Sequence, residues 1–389
     1  MTQKNILFLG HDASRTGAPL LLLELVKWLK TNSSYESEVY LKRGGAIEQD
    51  YNQAVPTTCS PAASSSIVTR TLRKLTRQHD LAHRYPAKKF PIIYANTVDT
   101  CYLAMQLAGP DRGLIHHIHE LEYVTHCCGA TDLLRSAVPL TDAYITASGA
   151  VSDFLVKVIG VPSDKIHTIH EYPIPFEQNI CIKQNGYKFR TSYGIPDDGC
   201  VIGMCGTPEW RKGDDLFVQV ALAVKNHPGT ENCHFVWLGG DDASLGRLRY
   251  DAAKLGLLNC CHFVPSIVNP SSFFHALDIF ALTSREDPFP VAMLEAATSG
   301  VPIICFAGGG GAPELVEADA GIIVPYLDTT LMAAACVSLM VDASRRVILG
   351  MNAKKKVQTK YNLDGQGRKI LAVIETVGQR KLFDADDAV

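Results

Sequence analysis

The sequence predicts two α/β domains, each a parallel sheet flanked by helices, and three observations lead there. The chain has 389 residues, more than one ordinary core holds. Short apolar runs of strand length alternate with helical segments along most of it, the pattern of parallel sheets built from βαβ units. Several of those runs break into glycine-bearing or charged loops, and open α/β sheets bind ligands at the carboxyl ends of their strands.

Composition narrows the class. Apolar residues make up 47% and charged residues 20%, ordinary for a globular protein, and the net charge of −3 provides no basic field for nucleic acid. No apolar run reaches bilayer-spanning length, and the polar MTQKN start leads directly into a strand rather than a signal peptide. The twelve cysteines form no CxxC pair, and most sit in apolar segments, so they read as reduced, buried thiols of a cytoplasmic protein.

In chain order, 5–9 (NILFL) is a buried strand, the loop 10–17 (GHDASRTG) follows, and a helix starts at Ala18 and Pro19. Strand, glycine loop and helix together aim backbone N–H groups at an anion. The loop lacks GxGxxG, and the next strand, 38–41, ends in Lys42 and Arg43 rather than an acid, so a dinucleotide fold of the dehydrogenase kind is excluded. Residues 67–89 hold seven Arg and Lys against the single acid Asp80, with Val68, Leu72 and Leu75 at helical spacing. That segment is either the solvated face of a surface helix or a peripheral contact with an anionic membrane surface.

Strands are expected at 91–95 and 114–120, the second carrying His116, His117 and His119. On a strand His117 and His119 share a face while His116 points away, and no nearby Cys completes a metal site. Further strands fall at 141–148 and 165–169, with a helix at 150–158 between them. The irregular 173–185 reads as a linker. Beyond it come a short helix near 187–193, strands at 201–205, 234–240 and 261–265, and the loop GTPEWRKG at 206–213.

The stretch 281–314 carries the chemistry. A strand, 279–283, ends in a loop with Arg285, Glu286 and Asp287, and Pro290 suits the first turn of the helix that follows. Glu295 lies on that helix, Gly300 is placed to cap it, and the strand 301–306 runs into Gly308, Gly309, Gly310 and Gly311. Asp287 and Glu295 can therefore face one pocket above the sheet. Helices are expected at 331–341, 345–359 and 370–377.

This stretch resembles the retaining GT-B glycosyltransferases of family GT4, whose signature is S-x-x-E-x-F-x-x-x-x-L-E-A. Ser284, Asp287, Phe289, Leu294, Glu295 and Ala296 occupy those positions; Asp287 is one methylene shorter than the usual Glu, and Glu286 next to it is the alternative first acid. The loop 206–213 resembles the family's G-R-x-x-x-x-K-G: Lys212 and Gly213 match, Thr207 stands in the Arg position, and Arg211 is a substitute for its charge. Gly310 to Glu314 resembles G-G-x-P-E, Gly17 matches the glycine of the first loop, and His119 with Glu120 matches the strand-end H-E, His117 being the alternative. At His170 to Pro173 the family's N-G-[IV]-D turn is missing, and nothing carries over there.

The resemblance implies a GT-B fold, two Rossmann-like α/β/α domains facing each other across a cleft: 1–178 on the acceptor side, 179–368 on the donor side, and 369–389 a tail packing back on the first. It implies transfer of a sugar from a UDP- or GDP-linked donor to a hydroxyl of a glycan or lipid-linked glycan, with retention and with neither cofactor nor metal ion. Lys212, Arg211 and the backbone at Gly17, Phe289, Pro290 and Val291 would steady the diphosphate, near Thr207 and Glu286. Glu295 would hold the ribose, and Asp287 and His119 the donor sugar. The alternatives are a non-catalytic sugar-nucleotide binder and a GT-B hydrolase, epimerase or phosphorylase.

Overall fold

The computed structural model describes residues 5–60, 81–175 and 182–386. The chain forms two compact units, Met1–Glu171 with Leu363–Val389, and Tyr172–Asn362.

The first unit is a seven-stranded sheet of order β3-β2-β1-β4-β5-β6-β7. Its strands are β1 (Asn5–Gly10), β2 (Glu36–Leu41), β3 (Thr57–Cys59), β4 (Ile92–Asn96), β5 (Gly113–Ile118), β6 (Ala143–Thr146) and β7 (Ile166–Thr168), all paired in parallel. Alternation along β1 divides the core between the two faces, as a strand's period of two requires. Ile6 and Phe8 pack with Leu22, Val26, Leu29 and Ile115. Leu7 and Leu9 pack on the other side with Ile93, Leu103 and Leu107. Ile370, Ile374 and Val377 of the last helix join the first of these clusters. That helix runs over Leu363–Asp386, beyond the expected 370–377 at both ends, and Leu363 on its N-terminal extension packs against the same cluster.

The second unit is a six-stranded parallel sheet of order β10-β9-β8-β11-β12-β13. It comprises β8 (Cys200–Cys205), β9 (Cys233–Leu238), β10 (Cys261–Val264), β11 (Ile279–Leu282), β12 (Ile303–Phe306) and β13 (Gly321–Val324). Trp237, Phe235, Phe217, Phe273 and Phe274 are fully buried around it. Each sheet reverses its winding once, between β1 and β4 in the first and between β8 and β11 in the second. Those two points, at the strands' carboxyl ends, are where doubly wound sheets open a crevice.

Some local expectations need correction. The strand expected at 114–120 ends at Ile118, which leaves His119 and Glu120 in the loop beyond it. Pro290 is the residue before the helix Val291–Thr298, not part of its first turn. All the described cysteines are free, yet Cys127 and Cys128 are exposed rather than buried, because they end a six-residue surface helix, Glu122–Cys127. Within the basic segment, 67–80 lies outside the described residues. Of its remainder, Arg84 donates to Thr58 Oγ1 at 2.8 Å and Lys89 pairs with Glu38 at 2.8 Å, so both turn toward their own unit. Among the described residues, no helix is long and apolar enough to cross a membrane.

Candidate functional site

In the second unit the loops after β8 and β11 meet at the winding reversal. Backbone bonds lock them together: Arg285 N and Glu286 N both donate to Arg211 O, at 2.7 and 3.2 Å. Gly213 (φ +64) is wedged against this join, where a Cβ would lie 2.0 Å from Thr283 O. On the other side Asp287 N donates to Gly309 O at 2.8 Å and Gly311 N to Asp287 O at 3.1 Å. Gly310 (φ +120) passes so close that a Cβ would stand 1.9 Å from Asp287 O. Part of the glycine run is therefore needed to hold Asp287 rather than to admit a ligand.

That frame fixes an ion pair. Lys212 Nζ donates to Asp287 Oδ2 at 2.5 Å and Ser284 Oγ to the same oxygen at 3.0 Å; Arg211 lies 3.7 Å from Oδ1. Burial pulls the Lys212 ammonium below the ordinary lysine value, against the raising effect of Asp287. Arg211 also holds Glu209 at 2.6 Å. Arg285 forks onto Asp215 with two 2.8 Å bonds, which fixes the loop from outside.

Glu295 follows on the helix Val291–Thr298 and is only 8% exposed. Among the described residues its carboxylate receives no hydrogen bond, and burial pushes it up to about 8. Burial, and then the Glu295 charge, push the Cys205 thiol at the end of β8 up to about 12, which places Glu295 beside that strand end. No side chain caps the helix after Pro290 and its first turn holds no acid, so its positive end is left to another partner. Thr207 is exposed in the loop after β8, and Phe289 is buried against Tyr361.

In the first unit, the ends of β4, β5 and β7 bring together residues far apart in the chain. His119 Nδ1 lies 2.6 Å from Glu171 Oε1 and its Nε2 lies 2.7 Å from Asn96 Oδ1. Burial acts against a charge on His119, but Glu171 outweighs it and the imidazole is raised above its ordinary value. His117 packs against it with ring centroids 3.9 Å apart, and burial, then the His119 charge, drive His117 well below the ordinary value. Glu120 turns back to accept from His119 N and Val98 N. Gly17 begins the helix Gly17–Asn32, whose N-cap Thr16 makes no side-chain cap. His116 faces away onto Thr141 and Tyr144.

The structure thus gathers Lys212, Arg211, Asp287 and Glu295 at one strand-end frame, with Glu286 bonded through its backbone beside them. His119 and Gly17 belong to the other unit. Sequence reasoning missed Glu171, Asn96 and Tyr94. Glu171 sits at the turn where no family pattern carried over, and only the pairing of β6 with β7 puts it near His119.

The fold is of the GT-B class, two Rossmann-like units, with a basic and acidic loop frame in the second. Residues 199–342 match the family model described as Glycosyl transferases group 1. A D-inositol 3-phosphate glycosyltransferase of Acidothermus cellulolyticus is 25% identical over 244 residues, 57% of this chain and 53% of that protein. The lipopolysaccharide core biosynthesis mannosyltransferase LpsB of Rhizobium meliloti is 26% identical over 247 residues, 61% of this chain and 66% of its own. The chain spans about half the length of the curated D-inositol 3-phosphate glycosyltransferases it matches, 53% and 51% in two of them. In fold it is similar to Anabaena HepE, crystallised with UDP and glucose, at TM-score 0.77, 20% identity, 95% of this chain and 99% of that one. The matched residues 199–342 lie in the second unit, which is therefore the part of the chain similar to group 1 glycosyltransferases.

Proposed function

We propose that the protein is a retaining glycosyltransferase that moves a sugar from a nucleotide-diphosphate-sugar to an acceptor hydroxyl on a glycan or lipid-linked glycan, on the cytoplasmic side, with no metal at the departing phosphate. The observation that carries this is the frame of Lys212, Arg211 and Asp287 beside the buried Glu295, whose carboxylate has no hydrogen-bond partner among the described residues.

Each part suits one piece of such a donor. Lys212 and Arg211 supply positive charge for the diphosphate, and the uncapped helix after Pro290 adds backbone donors to it. Glu295 is an acceptor waiting for two donors, which is what a ribose diol offers. Asp287, once Lys212 turns to phosphate, accepts from hydroxyls of the sugar. The sugar's C1–O bond to the diphosphate breaks, the acceptor oxygen bonds C1 on the same face, and the acceptor's proton passes to the departing phosphate oxygen. Preorganised positive charge stabilises that leaving group without a divalent ion.

HepE was crystallised with UDP and with UDP-glucose, so the uridine series is the first to titrate, with GDP and ADP series beside it. Calorimetry should show one diphosphate series binding, and Glu295→Ala weakening it by roughly 1–3 kcal/mol, the cost of leaving buried hydroxyls unpaired. If no nucleotide binds the wild type, the proposal fails. Turnover of the bound sugar nucleotide without any acceptor would instead assign a hydrolase or epimerase to this frame.

A further inference from the structure

We propose that His117, His119 and Glu171 form a binding site for a zinc-class divalent cation, held by His117 Nε2, His119 Nδ1 and a Glu171 carboxylate oxygen. The site lies wholly in the first unit and does not rest on the donor-site reading.

The three side chains can each offer a ligand atom, all within 4.8 Å of one another. Two imidazoles and a carboxylate suit zinc and its neighbours in the first transition row. His117 and His119 stand two apart at the end of β5, so the pleat turns both to one side. Bonds of about 2.0–2.1 Å in a tetrahedron separate ligand atoms by roughly 3.3 Å. The present His119–Glu171 distance of 2.6 Å must widen, and the His117–Glu171 distance of 4.0 Å must narrow. Each change is about 0.7 Å, within the reach of side-chain torsions.

An orphaned atom points into the cluster. His117 is 4% exposed and among the described residues its Nε2 has no hydrogen-bond partner, although Glu171 Oε1 stands 4.0 Å away. A buried polar atom without a partner is costly, and a bound cation would be its partner.

The outer contacts set both rings for the same task. Asn96 Nδ2 donates to Ala18 O at 3.2 Å, so its Oδ1 is the atom facing His119 Nε2 and must accept a proton from it. That leaves Nδ1 as the ligating nitrogen of His119. Tyr94 Oη lies 2.7 Å from His117 Nδ1, and by accepting from it leaves Nε2 as a lone pair directed toward Glu171. Ligating histidines commonly give their second N–H to such an acceptor, which fixes tautomer and ring orientation. A proton on His119 Nδ1 satisfies Glu171 but leaves His117 Nε2 with nothing. A cation engages all three. Three protein ligands also leave a tetrahedral position for water.

The test is a titration of chelator-stripped full-length protein with Co²⁺ alone, read by its visible absorption, with Zn²⁺ displacement measured by elemental analysis. A Cys127→Ser/Cys128→Ser background removes the exposed thiols. One equivalent should bind. Glu171→Gln and His117→Gln should each weaken binding by about 100-fold or more, and Tyr94→Phe by about 10-fold, the range for outer contacts. Near-UV circular dichroism must show each variant folded; Tyr94→Phe, which keeps the ring, carries the test if a ligand variant does not fold. No cobalt uptake by the wild type would overturn the proposal. Uptake unchanged by Glu171→Gln, His117→Gln and Tyr94→Phe would do the same, as would a thiolate charge-transfer band assigning the metal to cysteines.

Discussion

The two strand-end clusters of the molecule, one in each unit, solve one problem with different chemistry. In the second unit a lysine, already poorly solvated, is held by Asp287 on loops joined backbone to backbone. In the first, an imidazole is held at both nitrogens, by Glu171 and Asn96, on three separate strand ends. The lysine has two further N–H groups to offer, so an arriving anion can share it or take it over. His119 has none to spare, and a sugar hydroxyl can reach it only by displacing Asn96 or Glu171. The Lys212 frame is therefore poised to exchange partners, whereas among the described residues the histidine cluster leaves only His117 Nε2 without a partner.

The comparison breaks most sharply at Lys212. Lys212→Met leaves Asp287, 4% exposed, without its main counter-charge. Urea unfolding followed by circular dichroism should show a loss of about 3 kcal/mol, the scale for stripping one partner from a buried pair. Transfer activity should fall roughly 100-fold or more, as when a leaving-group stabiliser is removed. Lys212→Met/Asp287→Leu should regain most of the stability and none of the activity. A double variant no more stable than the single would mean that Asp287 does not need the lysine, and the two sites would then be alike in rigidity.

Gly310→Ala tests the frame rather than the charge. The substitution forces both a left-handed conformation and a collision with Asp287 O, so a loss of about 2 kcal/mol is expected in the same unfolding measurement. Gly308→Ala, in more open space though also at positive φ, should cost less.

These two residues show what was legible in the sequence. Most strands of both sheets, the glycine loops and the acid pair of the second unit lie in short stretches where local pattern and spacing determine the geometry, whereas the short edge strands β3 and β13 are not among those expected. Lys212 and Asp287 are far apart in number, but each ends its own recognisable strand–loop segment. Asn96, His117, His119 and Glu171 share no local pattern, because parallel pairing of β4, β5, β6 and β7 is what assembles them. Three histidines without a nearby cysteine give no metal signal in one dimension; the carboxylate arrives some fifty residues later in the chain, with a 2.6 Å contact. Cys127 and Cys128 misled for the opposite reason, since residue type alone does not separate a buried helix from a surface one.

Glu295 sharpens the contrast through pH. Its folded value of about 8 lies above the 4.5 of an ordinary glutamate, so the folded state holds the proton more tightly. Stability from this group is full below pH 4.5 and is lost as pH rises through 8, at up to about 1.4 kcal/mol per pH unit. Glu295→Gln should flatten the melting temperature across that window. Nucleotide binding, which rewards the ionised carboxylate, should release a proton near pH 7, read as a buffer-dependent calorimetric enthalpy. An unchanged pH slope in Glu295→Gln would remove this carboxylate from the account.

The smallest effect is expected at Thr207, and it asks whether the donor frame is complete. Thr207 is exposed, so an arginine there meets no steric bar, and it would stand where the related loop pattern carries its first cation. Arg211 already lies 3.7 Å from Asp287 and is tied to Glu209 at 2.6 Å, so part of its charge is neutralised before any phosphate arrives. If Arg211 nevertheless serves in place of the missing residue, Thr207→Arg adds a second, redundant cation at a solvated edge, and diphosphate affinity should rise by no more than about 0.5 kcal/mol. If it does not serve, the added guanidinium completes the frame and the gain should approach about 1.5 kcal/mol, the lower end for a charge-assisted hydrogen bond. Calorimetry of the nucleoside diphosphate on Thr207→Arg, on Arg211→Ala and on both together separates the two. Only a redundant cation introduced by Thr207→Arg would rescue the loss caused by Arg211→Ala while adding little on its own.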